Sequence, residues 1–205
     1  MALPLGWPAA PSDDAFIVTD SNARAAHLIE HRAAWPVMTA LLVGPRRSGR
    51  TLLARIFAAK SGGIFIDDAE RHDERVLFHA WNDAQAQRRP LLMVAAQALP
   101  DWTVKLPDLR SRLAASTLAV IGPPDDQLVR ALFASAFERR GMPIRPDLID
   151  WLAARIERSH LAVERAIDAL DQAAMERRRG LSIPLARQTL TDAGIIAGAA
   201  SEDQT

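Results

Sequence analysis

The chain has 205 residues, and its 25 lysine and arginine side chains are balanced by 25 aspartate and glutamate side chains. A net charge of zero gives no global basic field for nucleic acid, so any role at DNA must be local or indirect. The absence of cysteine excludes a disulfide framework and a thiolate metal site. No apolar run approaches the roughly 20 residues of a membrane span, and no secretory signal is recognisable. We therefore expect a soluble, cytoplasmic protein without a membrane partner.

The N-terminal third of the chain predicts an extended arm and then the start of an α/β domain. Residues 1–15 are rich in proline, which resists helix formation. Residues 21–35 have the periodicity of a helix that Ser21 would cap. An apolar run of strand length at 37–43 ends at a glycine, and helical periodicity follows at 50–60. Strand, glycine loop and helix therefore follow one another in that order.

Three further apolar runs predict strands at residues 63–67, 91–96 and 117–122, the first of them buried, with a helix at 74–89 between the first two. Continuous apolar strands that alternate with helices are typical of a parallel sheet covered on both faces. We expect an α/β domain over residues 16–122.

After residue 122 the sequence predicts helices alone. They lie at residues 124–141, 145–159, 160–180 and 183–194, with Asp125 or Asp126 as the first N-cap and Pro146 and Pro184 in first turns. We expect a small all-helical lid subdomain over residues 123–194 and a flexible tail over residues 195–205.

The glycine loop has the pattern of a phosphate-binding loop. Residues 44–51 read GPRRSGRT and match G-x-x-x-x-G-[basic]-[ST], in which backbone amides and a helix N-terminus surround phosphate oxygens. The residues predicted to hold phosphates and Mg²⁺ are Gly44, Ser48, Gly49, Arg50 and Thr51. Arg50 replaces the usual lysine, and its planar fork keeps the charge without placing a compact ammonium at the transferred group. Nucleotide binding should therefore survive better than hydrolysis.

Two carboxylates follow the predicted strand at 63–67. Asp67 could reach a Mg²⁺ bound with nucleotide at Thr51, and Asp68 could orient water. Paired carboxylates also cap helices and glycine turns arise by chance, so a chain without a nucleotide site is the alternative. Only 15 residues separate Thr51 from Asp67, which leaves no room for the strand and helix that commonly intervene in P-loop sheets.

Several segments in the right order resemble one known family. FIV at 16–18 with Ser21-Asn22, FIDDAE at 65–70 and LPDLRSRLAAS at 106–116 resemble the AAA+ module of the bacterial initiator DnaA. They look closer still to the Hda-type, DnaA-related regulators of replication initiation in their alphaproteobacterial form, over about residues 1–192. Arginine in the phosphate loop also occurs in that family. The resemblance implies ADP or ATP with Mg²⁺ as cofactors, and an adenine pocket lined by Phe16, Ile17 and Asn22.

The same resemblance assigns a catalytic role to Arg112. It matches the family's arginine finger, which reaches the γ-phosphate bound by a neighbouring subunit and in comparable systems accelerates hydrolysis about 10³–10⁵-fold. This role needs an exposed guanidinium. On spacing alone, Arg110 and Arg112 would instead be surface or salt-bridge residues of a short helix.

The resemblance also implies partners. Leu3, Pro4 and Leu5 match the short apolar part of the family's peptide for the DNA polymerase III sliding clamp, although the preceding glutamine is absent; a disordered end is the alternative. The initiator's helix-turn-helix domain has no counterpart after Leu190, so we expect no direct sequence-specific DNA binding. Family members pack side by side, which makes DnaA, or a second copy of this chain, an expected neighbour.

Two positions depart from the family pattern. The third strand ends in Ala95-Ala96-Gln97, where only Gln97 could sense a γ-phosphate. The lid's sensor arginine is expected where Leu161 stands, with Arg158 and Arg165 on either side. The first departure makes autonomous hydrolysis doubtful, so we expect weak or no intrinsic ATPase activity.

The leading hypothesis is therefore a nucleotide-binding regulator that, tethered to the clamp, presents Arg112 to ATP on DnaA and inactivates the initiator. A non-catalytic adaptor that sequesters initiator or clamp is the first alternative. A self-sufficient ATPase motor is the second, and Arg50 with Ala95-Ala96 argues against it.

Overall fold

The computed structural model describes residues 16–142, 144–177 and 180–197. It divides into two compact units, one that ends at Pro123 and one that begins at Pro124. The predicted arm at 1–15, with Leu3, Pro4 and Leu5, lies outside the described residues, as does most of the predicted tail.

The first unit is a parallel sheet with helices on both faces. Its strands are β1 (Thr39–Val43), β2 (Ile64–Ile66), β3 (Leu91–Ala95) and β4 (Thr117–Val120), in the order β2-β3-β1-β4. Its α-helices are α1 (Asp20–Glu30), α2 (Arg50–Ser61), α3 (Glu74–Gln87) and α4 (Pro107–Ala115), with short 3-10 helices at Arg32–Ala34 and Ala69–Arg71. The α/β class predicted from the sequence is confirmed.

The two central strands explain why the sheet is covered on both sides. Every residue of β1 and β3 is buried. Leu42 packs with α1 and α2 on one face, and Leu41 packs with α3 and α4 on the other, since neighbouring strand residues point to opposite faces. The prediction of a buried second strand was wrong, because β2 is an edge strand whose three residues are half-buried.

The first helix begins and ends differently from the prediction. Thr19, not Ser21, is the N-cap: it forms a capping box in which its backbone N–H donates to Asn22 Oδ1 at 2.9 Å. The helix ends at Glu30 rather than continuing to residue 35. A separate 3-10 helix follows at Arg32–Ala34, and Trp35, which precedes Pro36, has an extended backbone with φ of −70° and ψ of 134°.

The second unit is all-helical, as the sequence predicts. Its helices are α5 (Asp126–Arg139), α6 (Pro146–Ala153), α7 (His160–Arg177) and α8 (Ile183–Asp192). Asp125 is the N-cap of α5 and accepts the Leu128 N–H at 2.7 Å. Phe133 and Phe137 are fully buried in a core shared by all four helices. Among the described residues, no helix is both long and apolar enough to cross a membrane.

Candidate nucleotide-binding site

The loop between β1 and α2 has a backbone that requires glycine at two positions. Gly49 has a φ of 83°, in the left-handed region that glycine adopts without strain. A Cβ added to Gly44 would lie 2.9 Å from the Ile121 carbonyl oxygen, so a side chain there would collide with backbone. The loop therefore turns tightly against the end of β4 and leads directly into the N-terminus of α2.

Ser48 brings an unused hydroxyl into this loop. The residue is 5% exposed, and its Oγ has no hydrogen-bond partner in the described part of the chain. A buried polar group without a partner is costly, and a bound phosphate oxygen would supply the missing partner. The predicted phosphate-binding residues Gly44, Ser48 and Gly49 are thus together in one loop that fits a phosphate group.

Thr51 and Asp67 meet at the carboxyl end of the sheet. Thr51 Oγ1 donates to Asp67 Oδ2 at 2.8 Å, and Asp67 Oδ1 accepts the backbone N–H of Asp68 at 3.0 Å. A hydroxyl and a carboxylate in contact are the oxygen ligands that Mg²⁺ takes when it is bound with a phosphate. No cluster of three or more His, Asp or Glu side chains that could hold a metal is found among the described residues. These two residues therefore fit a metal that arrives with nucleotide.

Asp68 lies beside this pair in an unusual backbone conformation. Its φ of 46° is in the left-handed region, and its carboxylate lies 3.6 Å from the guanidinium of Arg71. Both side chains are at least half exposed, so this ion pair contributes little stability. The water-orienting role of Asp68 stays a prediction.

Arg50 does not extend over the loop. Its Nη1 donates to the carbonyl oxygen of Ala95, the last residue of β3. The N–H of the same peptide group, on Ala96, donates to Glu70 Oε1 at 3.0 Å. Arg50 and Glu70 therefore bind the C=O and the N–H of the Ala95–Ala96 peptide group. This peptide group lies at the position where the family pattern predicts a sensor of the γ-phosphate.

Glu70 was missed as a site residue in the sequence. Its Oε2 is buried and has no partner among the described residues, which is costly for a carboxylate. The signal that could have found it is its spacing, three residues after Asp67 in FIDDAE. Gln97, the predicted sensor candidate, is exposed, and its side chain has no polar contact to any described residue.

Of the predicted adenine-binding residues, Phe16 lies at the phosphate loop, whereas Asn22 supports the segment that carries Phe16 and Ile17. The Phe16 ring lies over the loop, because a Cβ added to Gly49 would be 3.0 Å from Phe16 Cε2. Phe16 also lines a narrow apolar groove with Leu53 of α2. Asn22 is 2% exposed, and its Nδ2 donates to the Ile17 carbonyl at 2.9 Å. Asn22 thus braces the segment that carries Phe16 and Ile17 near the loop.

Arg112 is half-buried on α4, not freely exposed as the finger hypothesis expected. Its Nη1 donates to Asn82 Oδ1, and its guanidinium carbon lies 4.2 Å from the ring centre of Phe78 and 4.8 Å from that of Trp81. All three contacts come from α3. Arg110, two residues earlier, is exposed, and its side chain contacts no polar partner among the described residues.

The two lid arginines also differ. Arg158 forms an ion pair with Asp126 at the start of α5. Arg165 is exposed on α7, lines a cleft in the lid, and has no hydrogen bond or ion pair within the described residues. Of these two lid arginines, Arg165 is therefore the one whose guanidinium is available to a ligand.

Comparison with known families identifies the lid. Residues 125–190 match the family model described as "Hda, lid domain". An uncharacterized protein of Haemophilus influenzae is 30% identical over 119 residues, which cover 57% of this chain and 51% of that protein. The chain thus spans about half the length of this curated relative.

Solved structures identify the fold. Domain III of the Thermotoga maritima initiator DnaA has a TM-score of 0.74 at 15% identity, covering 93% of this chain and all of that one. DnaA of Aquifex aeolicus, solved with AMPPCP, has a TM-score of 0.63 at 13% identity, covering 78% of this chain and 65% of that one. The fold is AAA+, and the predicted resemblance to DnaA-related, Hda-type proteins is confirmed by the lid sequence and by the fold.

Proposed function

We propose that this DnaA-related AAA+ protein with an Hda-type lid regulates bacterial replication initiation by stimulating the hydrolysis of ATP bound to DnaA. Arg112 would act in trans, as an arginine finger on the nucleotide of the neighbouring DnaA. The observation that carries the proposal is the placement of Arg112, whose guanidinium contacts only uncharged groups within the described part of the chain. A cation that is oriented but not neutralised can still stabilise the charge that develops on a γ-phosphate.

The chain's own nucleotide would have another purpose. We propose that ADP or ATP binds with its phosphates at Gly44, Ser48 and Gly49, and with Mg²⁺ at Thr51 and Asp67. The solved DnaA with AMPPCP supports an adenine nucleotide for this fold. When bound, the ion would neutralise phosphate charge.

Intrinsic hydrolysis would be weak or absent. Arg50 is engaged with the Ala95 carbonyl, and the residues that follow β3 offer only the exposed Gln97 as a polar sensor. The bound nucleotide would instead shape the surface that meets DnaA, or a second copy of this chain, in a side-by-side assembly.

The sliding clamp is the second proposed partner. Leu3, Pro4 and Leu5 provide a short apolar peptide with a proline that favours the extended conformation in which such peptides dock. Tethering to a clamp loaded on DNA would raise the effective concentration of Arg112 near DnaA.

The proposed function is tested by following ADP formation from labelled ATP on DnaA. The protein is added with clamp on DNA, with free clamp, or alone. We expect acceleration that is greatest with the DNA-loaded clamp and that the substitutions Leu3→Ala and Leu5→Ala together reduce. No acceleration by the unaltered protein in the presence of a demonstrably loaded clamp would contradict the proposal.

A non-catalytic adaptor is the second candidate. The half-burial of Arg112 between Phe78 and Trp81 favours it, because a guanidinium packed in this way can serve the fold of its own chain. An adaptor would lower DnaA activity without ADP formation, and Arg112→Ala would leave that inhibition intact.

A further inference from the structure

We propose that Phe78, Trp81 and Asn82 of α3 are positioning residues for Arg112, which they hold as a preformed finger. This inference rests on the proposed function, since it concerns how the same guanidinium is presented to a partner's nucleotide. We call the three side chains the α3 cradle.

The cradle restrains the guanidinium from several directions. Asn82 Oδ1 accepts a hydrogen bond from Arg112 Nη1. The guanidinium carbon lies over two aromatic rings, 4.2 Å from the centre of Phe78 and 4.8 Å from that of Trp81. Both rings pack against the buried core between α3, α4 and the sheet, so they are fixed platforms. A guanidinium held in this way loses little further freedom when it meets a phosphate.

A second contact connects the cradle with the backbone of the finger residue. Trp81 Nε1 donates to Ser116 Oγ at 3.3 Å, and Ser116 Oγ donates to the Arg112 carbonyl at 2.9 Å. Trp81 therefore contacts both ends of Arg112, the guanidinium directly and the main chain through Ser116. A shift of Trp81 would therefore displace both the backbone and the guanidinium of Arg112.

The groups around Arg112 suit a guanidinium that is presented to a partner's phosphate better than one that is permanently neutralised in an ion pair. An arginine has five N–H donors, and the contact with Asn82 engages Nη1 only. Donors on Nε and Nη2 have no partner among the described residues. Asn82 is neutral, and the aromatic faces attract a cation without neutralising it. An aspartate in the place of Asn82 would bind Arg112 more strongly but would cancel the charge that a γ-phosphate needs.

The cradle makes a quantitative prediction about DnaA stimulation. We expect Asn82→Ala to lower the saturating rate of ADP formation about tenfold, because a loosened finger is misaligned, while half-saturation stays unchanged. Asn82→Asp should lower that rate at least as much, despite keeping a hydrogen-bond acceptor. Trp81→Phe should retain more of the rate than Trp81→Leu, because phenylalanine preserves the aromatic face.

Matched variants separate positioning from folding. Gln87→Ala removes an exposed carboxamide from the same helix, one that has no partner among the described residues, and should leave the rate unchanged. Thermal unfolding of each variant checks that the fold is intact; the half-exposed Asn82 provides the informative variant if Trp81→Leu fails to fold. In an Arg112→Ala background, Asn82→Ala should cause no further loss, because its effect acts through the guanidinium.

The outcomes are distinct. If Arg112→Ala abolishes stimulation while Asn82→Ala and Trp81→Leu leave it unchanged, the cradle is refuted and the proposed function survives. If Arg112→Ala leaves stimulation unchanged, both are refuted. A faster rate with Asn82→Ala, or a loss that persists without Arg112, would also overturn positioning by the cradle.

Discussion

Arg50 and Arg112 show two ways in which this fold holds a guanidinium. Arg50 donates to the Ala95 carbonyl at the edge of the phosphate loop, and Arg112 donates to Asn82 on the opposite side of the sheet from α2. Both acceptors are neutral, so both cations keep their charge. The partner groups differ: Arg50 donates to a backbone carbonyl, whereas Arg112 rests on the side chains of Asn82, Phe78 and Trp81.

We expect the two arginines to have different roles: Arg50 would contribute to nucleotide binding, and Arg112 would act on the nucleotide of a partner subunit. If Arg50 leaves Ala95 to contact a phosphate, it releases one of the two contacts on the Ala95–Ala96 peptide; Glu70 holds the other. In that case nucleotide binding would alter the end of β3. For Arg112 we propose that the contact with Asn82 is kept when the guanidinium meets the phosphate of a partner subunit. The same residue type would thus serve as a ligand contact in one region and as a presented finger in the other.

The largest effect at the phosphate loop is expected for Asp67→Asn. The neutral amide lacks the charge that Mg²⁺ requires, so we expect nucleotide affinity in the presence of Mg²⁺ to fall by about 10–100-fold. Affinity in EDTA should change little. Titration with a fluorescent adenine nucleotide measures both, with the exposed Asp83→Asn as control. Equal weakening with and without Mg²⁺ would show that Asp67 does not act through the metal.

Removal of the Arg50 guanidinium is expected to have the next largest effect. Arg50→Ala should weaken nucleotide binding about tenfold, the equivalent of one charge-assisted hydrogen bond. Arg55→Ala removes an exposed cation from the same helix, one without a polar partner among the described residues, and should leave affinity unchanged. If the two variants bind alike, Arg50 stays on Ala95 in the bound state and the proposed exchange is wrong.

Ser48→Ala should have the smallest effect on nucleotide affinity, and it should lower that affinity without lowering the stability of the free protein. The hydroxyl has no partner among the described residues, so its removal should not lower the melting temperature of the free protein. Nucleotide affinity should fall about threefold through the loss of one neutral hydrogen bond. Calorimetric unfolding with and without nucleotide separates the two quantities; a lower melting temperature in the free protein would mean that Ser48 has a structural partner.

Most of the fold could be predicted from the sequence, because the information is local. Apolar runs predicted all four strands, and Asp125 and Pro146 marked helix starts correctly. The errors lie at the first helix: a capping box at Thr19 displaced Ser21, and the helix ended at Glu30, with a 3-10 turn at Arg32–Ala34 in place of its predicted last turn.

The candidate site was less predictable, because its contacts join distant parts of the chain. Asn82 and Arg112 are 30 residues apart, and Arg50 and Ala95 are 45 apart. Spacing can indicate that a residue type suits a role, but it does not reveal which acceptor a long side chain reaches. The spacing of Glu70 after Asp67 could have marked it as a candidate, but not its contact with the backbone of Ala96, which follows β3.

The matched pair Arg112→Ala and Arg110→Ala tests the central claim most directly. Both substitutions remove a guanidinium from α4, one held by α3 and one exposed without a polar partner among the described residues. Single-turnover ADP formation on DnaA, with DNA-loaded clamp and with complex formation measured in parallel, gives the rate for each. We predict that Arg110→Ala keeps the rate within about twofold and that Arg112→Ala loses about 10³-fold or more without losing the complex. Equal rates for the two variants would contradict a finger role for Arg112.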